Sequence, residues 1–213
     1  TDKEAQEILT TMLHQADDGQ GVNMFDKTHK MPVFCPIGNA ATYSDPSYHL
    51  PAFYEVWARE AEQDNDFWSE AAEASRQHFK DATNEKTGLG PDYSEYSGAA
   101  KNDGNHGDFR FDAWRIAANI ACDYAWWAQD SWATTHANRI QSFFYDQGVD
   151  SYGNQWSLDG KNLSTDHSPG LVAMNATASL ASSDKKSWSF LEDLWNISPT
   201  TGKYRYYDGC LYM

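Results

Sequence analysis

Basic residues are scarce in this chain. Sixteen Lys and Arg stand against 31 Asp and Glu, for a formal net charge of −15. Phosphate binding needs clustered cations, so the composition sets nucleic acid aside as a partner. An uncharged polysaccharide would be indifferent to this charge, and a cationic one such as chitosan would be drawn to it. Cysteine is scarcer still: Cys35, Cys122 and Cys210 are far apart, odd in number and form no Cys-x-x-Cys pair. Neither a zinc site nor a disulfide framework is indicated, and Cys122, inside an apolar stretch, reads as a plain core residue. The seven His include no His-x-x-x-His pair, so no metal site and no cofactor is implied. Nothing approaches the roughly eighteen apolar residues of a membrane span, and mean hydropathy is −0.73. The opening Thr1-Asp2-Lys3-Glu4 reads as a helix start rather than a leader.

Aromatic residues, by contrast, are abundant: 15% of the chain, with nine Trp and twelve Tyr. Rings in that number serve a core and also supply flat surfaces on which sugars stack. A chain of 213 residues is long enough for one domain with a sizeable core.

Helical periodicity dominates. Ala5, Ile8, Leu9, Met12 and Leu13 mark a helix over 2–16, ended by the Asp17-Asp18-Gly19 turn. That turn lacks the alternating ligands and closing Glu of a calcium loop. Prolines make 22–47 irregular. Asp45 with Pro46 predicts an N-cap and first turn of a helix reaching about Glu62, with Tyr48 and His49 in its solvent-facing first turns. Further helices are expected over 64–82, 108–128, 130–147 (Ser131 as N-cap, Gly148 past its end), 170–182 and 184–195, and Cys210-Leu211-Tyr212-Met213 looks like the start of another. Long polar loops occupy 92–107 and 149–170. No segment reads as a convincing strand. The pattern is an all-α assembly of helical hairpins with a site formed by the long loops at one end.

One stretch concentrates polar chemistry: His106-Gly107-Asp108-Phe109-Arg110-Phe111-Asp112-Ala113-Trp114-Arg115, running directly into apolar Ile116–Ala121. Asp112 and Arg115 are three apart and share a helical face, with Asp108 one turn earlier. The spacing serves a catalytic carboxylate, and more commonly a capped helix whose arginines pair with its own carboxylates.

This stretch resembles the C-terminal catalytic segment of glycoside hydrolase family 8, most closely its xylanase branch. Three more motifs follow the family in order: Asp45-Pro-Ser-Tyr-His-Leu-Pro51, Asp166-His-Ser-Pro-Gly-Leu-Val-Ala-Met-Asn175 and Tyr204-Arg-Tyr-Tyr-Asp-Gly209. The resemblance covers essentially all of 1–213. It implies part of an (α/α)6 barrel, from which the N-terminal half would be absent, and an inverting mechanism with Asp112 as general base. Arg115 would hold Asp112 ionised and oriented. Tyr48, Phe111 and Tyr207 would contact or border sugar rings, with Tyr206 a weaker candidate. The family's general-acid Glu motif is not found here; Glu95 is close in sequence to the central stretch but reads as an exposed loop carboxylate. The chain is therefore expected to need an N-terminal fragment of the same enzyme for activity.

The implied activity is endo-1,4-β-xylanase, acting on β-1,4-xylan or xylo-oligosaccharides. A related alternative is an exo-oligoxylanase releasing xylose from the reducing end. In that branch a Leu-His-Pro loop blocks one end of the cleft. Here His167 is in register, but Asp166 replaces the Leu and Ser168 separates the Pro, a departure that favours the open, endo form. A third alternative is a non-catalytic carbohydrate-binding half-barrel. The resemblance also implies a secreted, extracellular enzyme. Asn162, Asn175 and Asn196 each begin a glycosylation triplet.

Overall fold

A computed structural model describes residues 2–203 and 205–213; Thr1 and Tyr204, the first residue of the 204–209 motif, lie outside the described residues. Among the described residues there are eight α-helices: α1 (Asp2–His14), α2 (Pro51–Glu60), α3 (Asn65–Ala82), α4 (Arg115–Trp127), α5 (Trp132–Gln147), α6 (Pro169–Thr177), α7 (Ser187–Asn196) and α8 (Arg205–Tyr212). One element is not anticipated: a small antiparallel hairpin, β1 (Phe25–Asp26) with β2 (Met31–Pro32), in register Phe25↔Pro32. No described helix is long and apolar enough to cross a membrane.

Several boundaries differ from expectation for local reasons. Asp45 caps only a 3-10 turn, Pro46–Tyr48, its Oδ1 accepting from the Ser47 N–H at 2.7 Å. Pro51 excludes the helical region at Leu50 (φ −125°, ψ 62°), so α2 starts afresh at Pro51. His49 is thereby turned inward and fully buried, not solvent-facing. Ser44 Oγ donates to the Pro32 carbonyl (2.7 Å), so it accepts from His49 Nε2 (2.9 Å), while Ser75 Oγ donates to His49 Nδ1 (2.9 Å). His49 also stacks on His78 at 4.4 Å, and burial holds both imidazoles well below their ordinary range. This polar ladder ties the 44–49 turn to α3.

Residues 108–110 are not helical. Phe109 and Trp156 exchange both backbone hydrogen bonds (2.8 and 3.0 Å), which holds this segment extended. Asp108 therefore does not share a helix with Asp112. A 3-10 turn, Phe111–Trp114, leads into α4. Ser131 holds the N-cap position of α5 as expected, but its side chain makes no capping bond; Asp130 does so instead, its Oδ1 accepting from the Trp132 N–H at 3.0 Å. Gly148, at φ +96°, ends α5 as expected. In the following loop Gly153 is obligatory: a Cβ there would lie 1.8 Å from the Ser164 carbonyl oxygen.

Two apolar cores result. One joins α1, α2 and α3 around Phe25, Tyr54 and fully buried Trp68. The other, larger, gathers α4, α5, α6 and α7 around Phe144, Ile116, Ile140 and Leu171. Arg76 of α3 links them, donating to both Asp123 oxygens on α4 (2.8 and 2.7 Å) and to Glu55 on α2 (2.9 Å). Cys122 is half-buried rather than core. Asn175 is buried, its amide donating to the Tyr152 hydroxyl at 3.1 Å, so its triplet is closed to glycosylation in the folded chain.

Candidate active site

The α4 N-terminus is where the long loops converge. Asp112 sits in the 3-10 turn that opens α4, and its Oδ2 lies 3.0 Å from Arg115 Nη2. About a third of its side chain remains accessible (32%). The preceding Phe111 has φ +43°, a conformation bulky side chains rarely adopt, and its ring is exposed. Strain of that kind beside a carboxylate is a mark of a functional site.

Arg115 is held from below. Its Nη2 also donates to Ser47 Oγ at 2.7 Å, and its guanidinium lies over the Tyr48 ring at 5.5 Å. Asn119, one turn along α4, donates to the Ser47 carbonyl at 2.8 Å. The Asp45-Pro-Ser-Tyr-His turn is thus docked on the first turns of α4. Burial, then the charges of Asp45 and Asp112, push the Tyr48 hydroxyl up to about 12. From the far end of the chain, Tyr207 on α8 donates to the Phe111 carbonyl at 3.1 Å and packs on Trp114 with ring centroids 5.8 Å apart. Burial raises the Tyr207 hydroxyl far above its ordinary range; Arg115 opposes and Asp112 adds to the rise.

Five of the six expected residues are therefore brought together: Asp112, Arg115, Tyr48, Phe111 and Tyr207. Tyr206 points away and is 81% exposed. His167 lies farther along. It lines a cavity of about 570 Å³ walled by Phe111, Trp114 and Tyr207 on one side and Asn154, Asp166 and His167 on the other. Its Nδ1 donates to the Tyr152 carbonyl at 2.9 Å, and Nε2 faces Asp193 at 3.7 Å. Its nitrogens are thus turned to the protein.

Sequence reasoning missed part of the site. Asp92 is almost fully buried, paired with His106 Nδ1, and near enough to Asp112 to feel its charge; burial raises its carboxyl, and His106 opposes. His106 stacks flat on Tyr93 (4.1 Å, 5°) and approaches Phe111 at 6.2 Å. Asp45, read only as a cap, is fully buried, and desolvation pushes its carboxyl to about 8. Asp45 Oδ2, Asp92 Oδ1 and Arg115 Nε are all buried without a partner. The signal available was modest: two acidic residues beside proline turns and a His at the head of the central motif. Glu95 pairs with Lys101 at 2.9 Å on the loop surface. Arg110 pairs with Asp108 at 3.1 Å, so both arginines of the motif do bind its own carboxylates. Among the described residues no group of three or more His, Cys, Asp or Glu is placed to hold a metal ion.

A family model for the glycosyl hydrolases of family 8 matches residues 36–213. The chain belongs to this family. It is 44% identical over 98% of its length to the reducing-end xylose-releasing exo-oligoxylanase Rex8A of Paenibacillus barcinonensis, covering 56% of that protein. A second exo-oligoxylanase of the same description, from Halalkalibacterium halodurans, is 40% identical over 99% of the chain and is covered over 54%. Among solved structures, a family 8 catalytic-mutant xylanase in complex with xylohexaose, from Teredinibacter turnerae, superposes with TM-score 0.93 at 40% identity, over 99% of this chain and 57% of that one. The chain spans about half the length of the curated relatives it matches.

Proposed function

We propose that these 213 residues form the C-terminal part of the catalytic domain of a reducing-end xylose-releasing exo-oligoxylanase, with Asp112 as its general base. The observation that carries this reading is the 44% identity to Rex8A along almost the whole chain, together with the Arg115-held Asp112 that follows the strained Phe111 at the α4 mouth. The endo action expected from the 166–169 loop gives way to exo action, because the curated xylan-degrading relatives are described as exo-acting.

The geometry supports the following mechanism. Inverting hydrolysis needs a base to take a proton from water and an acid on the opposite side of the scissile bond, with the carboxyls roughly 6.5–9.5 Å apart. Asp112 supplies the base, and Arg115 fixes its carboxylate. Phe111 and Tyr207 border the sugar, and Tyr48 supports Arg115 from below. The acid lies in a segment of the protein outside these residues, which would also complete the (α/α)6 barrel. Xylo-oligosaccharides are the substrates, and the enzyme acts outside the cell, where xylan is met.

The test is xylotetraose incubated with the 213-residue chain, alone and combined with the N-terminal segment of the same protein. The chain alone should leave it intact. The combination should release xylose and xylotriose, with the new reducing end appearing first as the α-anomer. A second reading, endo-xylanase, is favoured by the departures at Asp166 and Ser168 and by the Teredinibacter turnerae xylanase; xylobiose as the first product would select it. Binding without hydrolysis in both arms would leave a carbohydrate-binding half-barrel.

A further inference from the structure

The cavity beside Phe111 and Tyr207 has an unusual balance of polar groups. Among the described residues, none of its lining residues is Lys or Arg. The two ring nitrogens of His167 are turned to the Tyr152 carbonyl and to Asp193. Asp208 is committed as well: its carboxylate accepts from the Gly170 N–H at the start of α6. Two further acceptors, Asn154 and Asp166, stand beside the neutral polar side chains of Gln155, Thr200 and Thr201. Asn154 is 8% exposed; its amide nitrogen donates to Ser168 Oγ at 2.7 Å, and its Oδ1 is buried with no partner. Asp166 stands exposed at the cavity wall, and its carboxylate makes no hydrogen bond or ion pair among the described residues.

A buried acceptor without a donor is unfavourable until a ligand supplies one. Sugar hydroxyls are such donors. A ligand carboxylate is not: it would bring a second negative charge against Asp166 with no cation to offset it. We propose that Asp166 makes this cavity selective by charge, admitting the neutral reducing end of an oligosaccharide and turning away one oxidised to an aldonic acid. The inference rests on the proposed function, release of xylose from the reducing end, and adds that the reducing end enters this cavity.

The test compares two open-chain ligands that differ in charge. Xylobiitol is neutral and xylobionate carries one carboxylate; xylobiose is the reference. Binding to the complete enzyme, these 213 residues together with the N-terminal segment of the same protein, is followed by NMR titration at low salt, for the wild type, Asp166→Asn and Asp166→Lys. Asp166 is on an exposed loop, and circular dichroism checks that the variants fold. In the wild type xylobionate should bind about tenfold more weakly than xylobiitol, as expected of a like charge at a partly solvated rim. The ratio should fall below about threefold in Asp166→Asn and reverse in Asp166→Lys. Raising salt should shrink the wild-type ratio. An unchanged ratio in both variants, with xylobiose still bound, would overturn this inference and leave the proposed function standing. Failure of xylobiose itself to bind the complete enzyme would remove both.

Discussion

Helix α4 carries an Arg–Asp pair at each end, and the two are built differently. At the C-terminal end, Asp123 receives two hydrogen bonds from Arg76, whose third nitrogen goes to Glu55. Their side chains are only 6% and 11% exposed. Every guanidinium nitrogen is used, and the group joins the two cores. At the N-terminal end, Arg115 meets Asp112 through one nitrogen, leaves Nε buried without a partner, and both side chains keep about 30% of their surface (29% and 32%). A saturated pair is part of the scaffold. An unsaturated one, on a strained turn and open to solvent, is available for chemistry.

The largest way to break that contrast is Asp123→Ala, which leaves the buried Arg76 two hydrogen bonds short, with only Glu55 among the described residues to offset its charge. It should lower stability by about 3–5 kcal/mol in urea denaturation. Asp112→Asn should change stability by no more than about 1 kcal/mol, yet slow xylo-oligosaccharide hydrolysis by the complete enzyme about 10²- to 10⁴-fold. Equal stability losses for the two variants would erase the distinction. Gly153→Ala comes next. Its Cβ would collide with the Ser164 carbonyl, and about 1–3 kcal/mol should be lost as the 149–168 loop shifts.

A pH series sharpens the comparison further, because buried groups near the site titrate in opposite senses. Burial lowers His78 from 6.5 to about 4. The unfolded chain takes up that proton first, so its contribution is intact above about pH 6.5 and is lost as pH falls toward 4. Asp45 is raised from 3.8 to about 8; its contribution is intact below about 3.8 and is lost as pH rises toward 8. In urea titrations Asp45→Asn should therefore gain stability relative to wild type at pH 8 but not at pH 4, and His78→Gln should flatten the acid limb. The smallest expected effect is Glu95→Gln, a surface pair with Lys101, at no more than about 0.5 kcal/mol and no change in hydrolysis. A collapse of activity there would make Glu95 the missing acid.

How much was legible followed from sequence distance. Phe111, Asp112 and Arg115 lie within five positions, so their grouping could be read directly, and helix periodicity placed most helices to within a few residues. The misreadings arose where tertiary contact overrode local signal. The Phe109–Trp156 exchange straightened a segment that looked helical, and Pro51 restarted a helix credited to Pro46. Asp92, Asp45 and Asn154 matter because of burial and orphaned oxygens, which no spacing reveals. His167 was found by register alone, and register said nothing of where its nitrogens point.

Tyr207 and Phe111 are 96 positions apart, yet one hydrogen bond joins them. Contacts of such separation close large loops and form late as a chain folds. The α4 turn and the Pro46–Tyr48 turn can dock early, but the wall over Asp112 waits for α8. Assembly order thus makes the site a report on distant parts of the chain: an intermediate in which α8 has not docked would keep most of the core and lack the Tyr207 wall.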